Sequence, residues 1–248
     1  PCHLGPAAPF HLRRLRLSLS NEATAMLDPV LPPDLTPDDA AIEAGRRLFA
    51  GACEFRAGAA REAMLPPPTL PEIAVAGRSN VGKSSLLNAL TGRRALARVS
   101  ITPGRTRQIN FFELGGKLML VDLPGYGSAR AGKREIANWN RLIEHYLKGR
   151  TALHRVLLLI DARHGIKPTD QPVLRLLDAA AQSYAVVLTK CDEVEDAALA
   201  RLAALMMAEL SRHAAAYPAL YLTSARHGTG IAELRAALAE LAMPGDGR

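Results

Sequence analysis

The sequence lacks a cysteine pattern. Its three cysteines, Cys2, Cys53 and Cys191, share neither a metal-ligand nor a disulfide spacing. No disulfide or metal framework is therefore expected, and a reducing compartment, the cytoplasm, is favoured. Also missing is any apolar run near the roughly 18 residues that a membrane-spanning helix needs. No internal repeat is visible, and with 48% hydrophobic residues the chain has no shortage of core material, so global disorder is not expected. At 248 residues there is room for one full α/β domain and an extension. Net charge is +7, with a sequence pI near 9.7. Such a balance favours an acidic partner, nucleic acid first, although a GC-rich genome that prefers arginine to lysine produces the same number.

The first 70 residues read differently from the rest. Residues 1–37 are expected to be extended or disordered. Arg13, Arg14 and Arg16 lie among Leu and Ser, faintly like a targeting segment, but the composition changes at Met26. An over-extended gene start before Met26 is the expectation preferred over targeting. The prolines of "DPVLPPDLTP" exclude helix, whereas "DDAAIEAGRRLFAGACEF", Asp38 to Phe55, has helical spacing behind an acidic start. Residues 38–70 are thus expected as a helical extension and a Pro-rich linker, with the globular domain spanning 71–248.

From Pro71 onward, short apolar runs alternate with helical patterns. Strands are expected at 73–77, 109–114, 117–122, 155–162, 184–190 and 219–224, the second and third joined by a Gly115-Gly116 hairpin turn. Helices are expected at 83–92, 134–149, near 170–182, at 195–214 and at 231–242. The predicted fold class is α/β: a doubly wound, mostly parallel six-stranded sheet with one antiparallel hairpin strand and helices on both faces. Ligands of such sheets bind beyond the carboxyl ends of the strands.

The chemistry sits in those loops. "GRSNVGKS" comprises Gly77, Arg78, Ser79, Asn80, Val81, Gly82, Lys83 and Ser84, and it fits G-x-x-x-x-G-K-[ST] between a predicted strand and a helix. Glycines let backbone N–H groups close around phosphates, and the helix N-terminus favours negative charge. Lys83 is expected on the β- and γ-phosphates and the Ser84 hydroxyl on Mg²⁺. "DLPG", Asp122, Leu123, Pro124 and Gly125, ends the hairpin; its carboxylate can accept from a Mg²⁺-bound water and its glycine N–H can face the γ-phosphate. "TKCD", Thr189, Lys190, Cys191 and Asp192, ends another strand. An Asp carboxylate matches the N1–H and 2-amino donors of guanine, the Lys190 stem can lie over the ring, and adenine offers no such pair. "TSA", Thr223, Ser224 and Ala225, can present backbone N–H to guanine O6. Together the motifs predict a P-loop NTPase that takes GTP/GDP with Mg²⁺.

The residue after Gly125 is Tyr126. It carries no amide to orient water as the glutamine of Ras-like enzymes does. Asn80 is the candidate substitute, unless it only braces the loop by a local hydrogen bond.

Taken with the text between them, "GRSNVGKSSLLNALTGRRALARVSITPGRTRQINFFEL", "LVDLPGYG", "DARHGIKPTD" and "LTKCD" closely resemble the EngB (YihA/YsxC) family of bacterial ribosome-biogenesis GTP-binding proteins, within the TrmE-Era-EngA-EngB-septin-like GTPase superfamily. The resemblance covers about Pro71 to Ala242. It implies that Asn80, matching an asparagine of superfamily relatives, helps hold K⁺ beside the β- and γ-phosphates. It implies that Thr106 is the switch threonine that closes on Mg²⁺, and that Gly104, Arg105, Thr106, Arg107 and Gln108 line the nucleotide. Ser128 stands where the family often has a second aromatic, and "RTRQINFF" replaces the commoner "RTQLINFF", which leaves switch detail open. Arg163 and His164 fit the family pattern without a derived role, a structural histidine being the default; Trp139 reads as core or interface packing. The resemblance further implies a monomeric, slow GTPase acting on the large ribosomal subunit precursor, its rRNA and proteins, and needed for cell division and septation. Two other readings stay open: a GTP-binding scaffold without turnover, and a metabolic P-loop enzyme, for which no insertion long enough to form an acceptor pocket and lid is found.

Overall fold

The computed structural model describes residues 35–93, 108–126 and 133–242, residues 133–140 as backbone only. The first 34 residues, Gly104, Arg105, Thr106, Arg107, Ser128 and the Trp139 side chain lie outside the described residues.

Helix α1, Asp39–Ala50, opens on Asp38, whose carboxylate accepts the Ala41 N–H at 2.8 Å. Such a cap satisfies one of the donors a helix start leaves free. The chain then enters strand β1, Cys53–Ala59. Helix was expected through Phe55, so the structure shortens it and adds a strand. Gly51 is extended (φ −64°, ψ 169°) and stops the helix, and the residues after it pair antiparallel with β3, Ile109–Leu114.

The remaining elements are β2 (Glu72–Gly77), α2 (Lys83–Thr91), β4 (Leu118–Asp122), α3 (Lys133–Gly149), β5 (Leu153–Asp161), α4 (Gln171–Ala179), β6 (Tyr184–Thr189), α5 (Asp196–Leu210), β7 (Ala216–Leu222) and α6 (Ile231–Ala242). They form one sheet in the order β1-β3-β4-β2-β5-β6-β7. It has seven strands, the seventh being β1 from the segment read as helix. Pairing is parallel except on the two sides of β3, so β3 is the one reversed strand. The β3–β4 turn, residues 115–117, needs Gly115 and Gly116, with φ of 58° and 68°.

Both faces of the sheet are covered, which is why its central strands are continuous apolar runs and do not alternate. On one face Ile73, Val75, Leu157, Leu159 and Val187 meet Leu86, Leu87 and Leu90 of α2, Phe49 of α1, and Leu234 and Leu238 of α6. On the other, Ala74, Val121, Leu158, Ile160 and Leu188 meet Ile143 and Tyr146 of α3, Leu174 of α4, and Leu199 and Met206 of α5. Helix α1 lies so close to α6 that a Cβ on Gly45 would sit 2.6 Å from the Ala236 nitrogen. Residues 39–59 thus share the core and sheet of the domain that follows. At the outer edge a bulge between Phe55 and Ala57 interrupts β1, and Arg56 pairs with Glu113, features that discourage further strand pairing.

Candidate functional site

The carboxyl ends of β2, β4, β6 and β7 deliver the four motifs to one end of the sheet. After Gly77 the chain loops back to α2, with Asn80 at φ 65° and Gly82 at φ 103°. Asparagine tolerates that conformation better than most residues, and glycine adopts it without a steric penalty. The free N–H groups of the first turn of α2, where Lys83 and Ser84 lie, point out of the helix start.

Two neighbours hold the loop. Thr189 Oγ1 donates to the Val81 carbonyl at 2.6 Å, and Lys190 Nζ donates to the Asn80 carbonyl at 2.9 Å. From the other side the segment after β4 zips onto it: the Ser79 N–H donates to the Tyr126 carbonyl at 3.0 Å and the Tyr126 N–H to Gly77 at 3.2 Å. Lys83 Nζ is ion-paired with the Asp122 carboxylate, and both side chains are largely buried. Lys83 and Asp122, read from the sequence as phosphate lysine and metal-side aspartate, are therefore neighbours.

Asn80 itself is exposed, at the loop's rim. The Tyr126 hydroxyl donates to Asp170 at 2.8 Å. Gln108, expected along the nucleotide, donates its amide to Asn110 at 2.9 Å and lies against Gly58 of β1.

The base motif borders a cavity of about 300 Å³ whose walls include Gly82, Lys190, Asp192, Thr223 and Ala225. β6 ends by bending at Lys190 (φ 59°) into a short turn, Cys191–Glu193. That turn is tied to the next loop: the Cys191 N–H donates to the Thr223 carbonyl at 3.2 Å, and Thr223 Oγ1 donates to Leu188 at 2.8 Å. Ser224 turns back to accept the His227 N–H on Oγ at 3.1 Å. The Cys191 thiol is buried and pushed up to about 11 by desolvation, so it is inert. Sequence reasoning missed Ser85, Leu86 and Arg226 on the cavity wall and His227, whose Nε2 lies 3.7 Å from Asp192 Oδ2. The first two occupy the exposed side of α2's first turn and its buried flank, which no motif records.

Asp161 also escaped the reading. This buried carboxylate accepts from Lys190 Nζ at 2.8 Å and from Arg163 through N–H, Nε and Nη2 at 3.1, 2.9 and 2.7 Å. Burial would raise its pKa, but the hydrogen bonds from Arg163 and Lys190 outweigh it and hold the carboxyl well below the usual range. Arg163 continues to Glu193 at 2.8 Å. The role missing from the sequence for Arg163 is an ion pair that ends on the base-motif lysine.

A phosphate loop, an Asp-x-x-Gly strand end and a guanine-type base motif on this sheet define the P-loop GTPase class. The comparisons agree and narrow it. The family described as "50S ribosome-binding GTPase" matches residues 72–190, and "Elongation factor Tu GTP binding domain" matches 143–244. The probable GTP-binding protein EngB of Gluconobacter oxydans is 54% identical over 208 residues, covering 84% of this chain and 92% of the relative. Its counterpart in Rhodospirillum rubrum is 54% identical over 209 residues, 82% and 90% of the two chains. This chain belongs to the EngB family of GTP-binding proteins. A crystal structure of a probable GTP-binding protein EngB superposes with TM-score 0.55 at 23% identity, over 69% of this chain and 98% of that one. Era in complex with MgGDPNP and a segment of 16S ribosomal RNA superposes with TM-score 0.54 at 20% identity, over 72% and 59%. At those identities the two structures speak for the fold.

Proposed function

We propose that the protein is a GTP-driven switch in assembly of the large ribosomal subunit, cytoplasmic, monomeric and needed for normal division and septation. The observation that carries this reading is Asp192 on the wall of a cavity that opens beside Gly82 of the phosphate loop. In that reading Asp192 accepts from guanine, Lys190 lies over the ring, and the Thr223–Ala225 loop presents N–H to the base oxygen. Gly77 to Ser84 wrap the phosphates, Lys83 leaves Asp122 for the β- and γ-oxygens, and the Gly125 N–H reads the terminal phosphate. Thr106 closes over the site.

The donors fit Mg²⁺. Ser84 and Asp122 supply hard oxygens, and no group of three or more His, Cys, Asp or Glu suited to a metal occurs among the described residues. Thr106 would join Ser84 on the ion, Asp122 would accept from water bound to it, and phosphate oxygens would complete its shell, the arrangement Mg²⁺ favours. When bound, the ion neutralises charge that develops on the phosphates. With no amide on Tyr126, and its hydroxyl engaged by Asp170, catalytic help must come from elsewhere. K⁺ held by exposed Asn80 is our substitute, with a ribosomal group as the further stimulus. The same engagement favours one second reading, a GTP-binding scaffold with negligible turnover.

Ribosomal action draws support from the family description "50S ribosome-binding GTPase" and from the +7 charge. Co-sedimentation with large-subunit precursors under a GTP analogue, GDP and no nucleotide tests it. Retention with the analogue only is expected; equal retention in all three would remove the switch.

A further inference from the structure

Asp170 stands immediately before α4, where an aspartate ordinarily accepts from a first-turn N–H. It makes no such bond. Its carboxylate is fully buried and serves three other partners. Oδ1 accepts the Tyr126 hydroxyl at 2.8 Å and lies 3.4 Å from Arg78 Nε, while Oδ2 accepts the Lys167 N–H at 2.7 Å. The Arg78 side chain is 13% exposed. A carboxylate removed from water is costly unless charge-paired and hydrogen-bonded. The cluster therefore persists only while three segments stay together: the second residue of the phosphate loop, the residue after Gly125, and the loop entering α4. Burial first, and then the Asp170 carboxylate, push the Tyr126 hydroxyl far above its ordinary range, which keeps it a donor.

The backbone joins the same segments. Arg78 and Tyr126 form a parallel bridge, and Ser79 Oγ approaches the Tyr126 carbonyl at 3.4 Å. Gly125 is so close that a Cβ there would lie 3.1 Å from the Ser79 nitrogen.

We propose that Asp170 is a positioning residue: through Tyr126 and Arg78 it clamps the Asp122–Tyr126 loop onto the phosphate loop, fixing the Gly125 N–H where it senses the terminal phosphate. This rests on the GTP-switch reading. Tyr126 thus contributes to switching as the pin of its loop and not as an orienter of water.

The test compares wild type, Tyr126→Phe and Asp170→Asn. Affinities for GDP and a non-hydrolysable GTP analogue are titrated, kcat for GTP is measured, and amide exchange is followed at Ser79 and Tyr126. Both variants should hold GDP within about twofold but lose about tenfold in analogue affinity and kcat, the scale of one hydrogen bond to a charged group. Exchange at Ser79 and Tyr126 should quicken. An unchanged analogue-to-GDP ratio and kcat, with only a lower Tm, would overturn the proposal and leave a structural brace. If Asp170→Asn fails to fold, Tyr126→Phe decides alone. A wild type that does not distinguish the analogue from GDP, with exchange still faster in the variants, would instead sink the switch reading and leave the clamp as structure.

Discussion

Replacing Asp161 by alanine tests how the base motif is held. Four N–H donors converge on this carboxylate, one from Lys190 and three from Arg163. Breaking a fully buried ion pair costs about 3–5 kcal/mol. Here the Lys190 and Arg163 side chains are 24% and 38% exposed and can regain water. We therefore expect a loss below that scale, about 2 kcal/mol. Lys190 would keep only the Asn80 carbonyl. GDP affinity should fall about tenfold, because a stem no longer held over the base must be ordered on binding. Urea denaturation reads the first quantity and a fluorescent-GDP titration the second. The pH dependence has a definite sign. The folded carboxyl is lowered below its unfolded value of about 3.9, so its contribution is complete above that value and lost as pH falls below it. The stability gap between wild type and Asp161→Ala should accordingly narrow only below about pH 4. Undiminished GDP affinity in Asp161→Ala would refute the argument that Asp161 positions Lys190.

Gly45→Ala should push α1 off α6, since the new Cβ would meet backbone at 2.6 Å. The expected cost is about 1–3 kcal/mol by thermal or urea denaturation, and an unchanged Tm would show that α1 is not part of the core. Turnover in matched KCl and NaCl should be about tenfold faster in KCl for wild type and equal in both salts for Asn80→Gly. Glycine suits that variant because it keeps the loop's φ of 65° where alanine would strain it. Equal wild-type rates in the two salts would discard the potassium site.

The central strands and the phosphate loop were legible because each is written locally: an apolar run, a fixed glycine spacing, a helix pattern. Residues 51–59 were not. "GACEFRAGA" follows a helical stretch without a break in hydrophobicity, and β1 is a bulged edge strand whose burial does not alternate. Only its partner β3, some 55 residues on, makes it a strand, the tertiary override that local propensity cannot foresee. Asp161 and Asp170 were visible within "DARHGIKPTD", but their work depends on Lys190, Arg78 and Tyr126, brought there by the sheet order. Tyr126 was read for what it lacks, an amide, whereas the structure gives it a buried partner. Cys191 was placed in the base motif by its neighbours, and its buried thiol leaves only its backbone to serve there.

The central claim is that Asp192 recognises guanine, and the most direct measurement is the affinity of wild type and Asp192→Asn for GDP and XDP. An amide can donate to the 2-oxo group of xanthine but has only one acceptor oxygen for guanine's two donors. The variant should lose about a hundredfold or more in GDP affinity and gain for XDP, reversing the preference with Tm unchanged. Unchanged GDP affinity in Asp192→Asn would contradict the assignment of the cavity beside Gly82 as the base site.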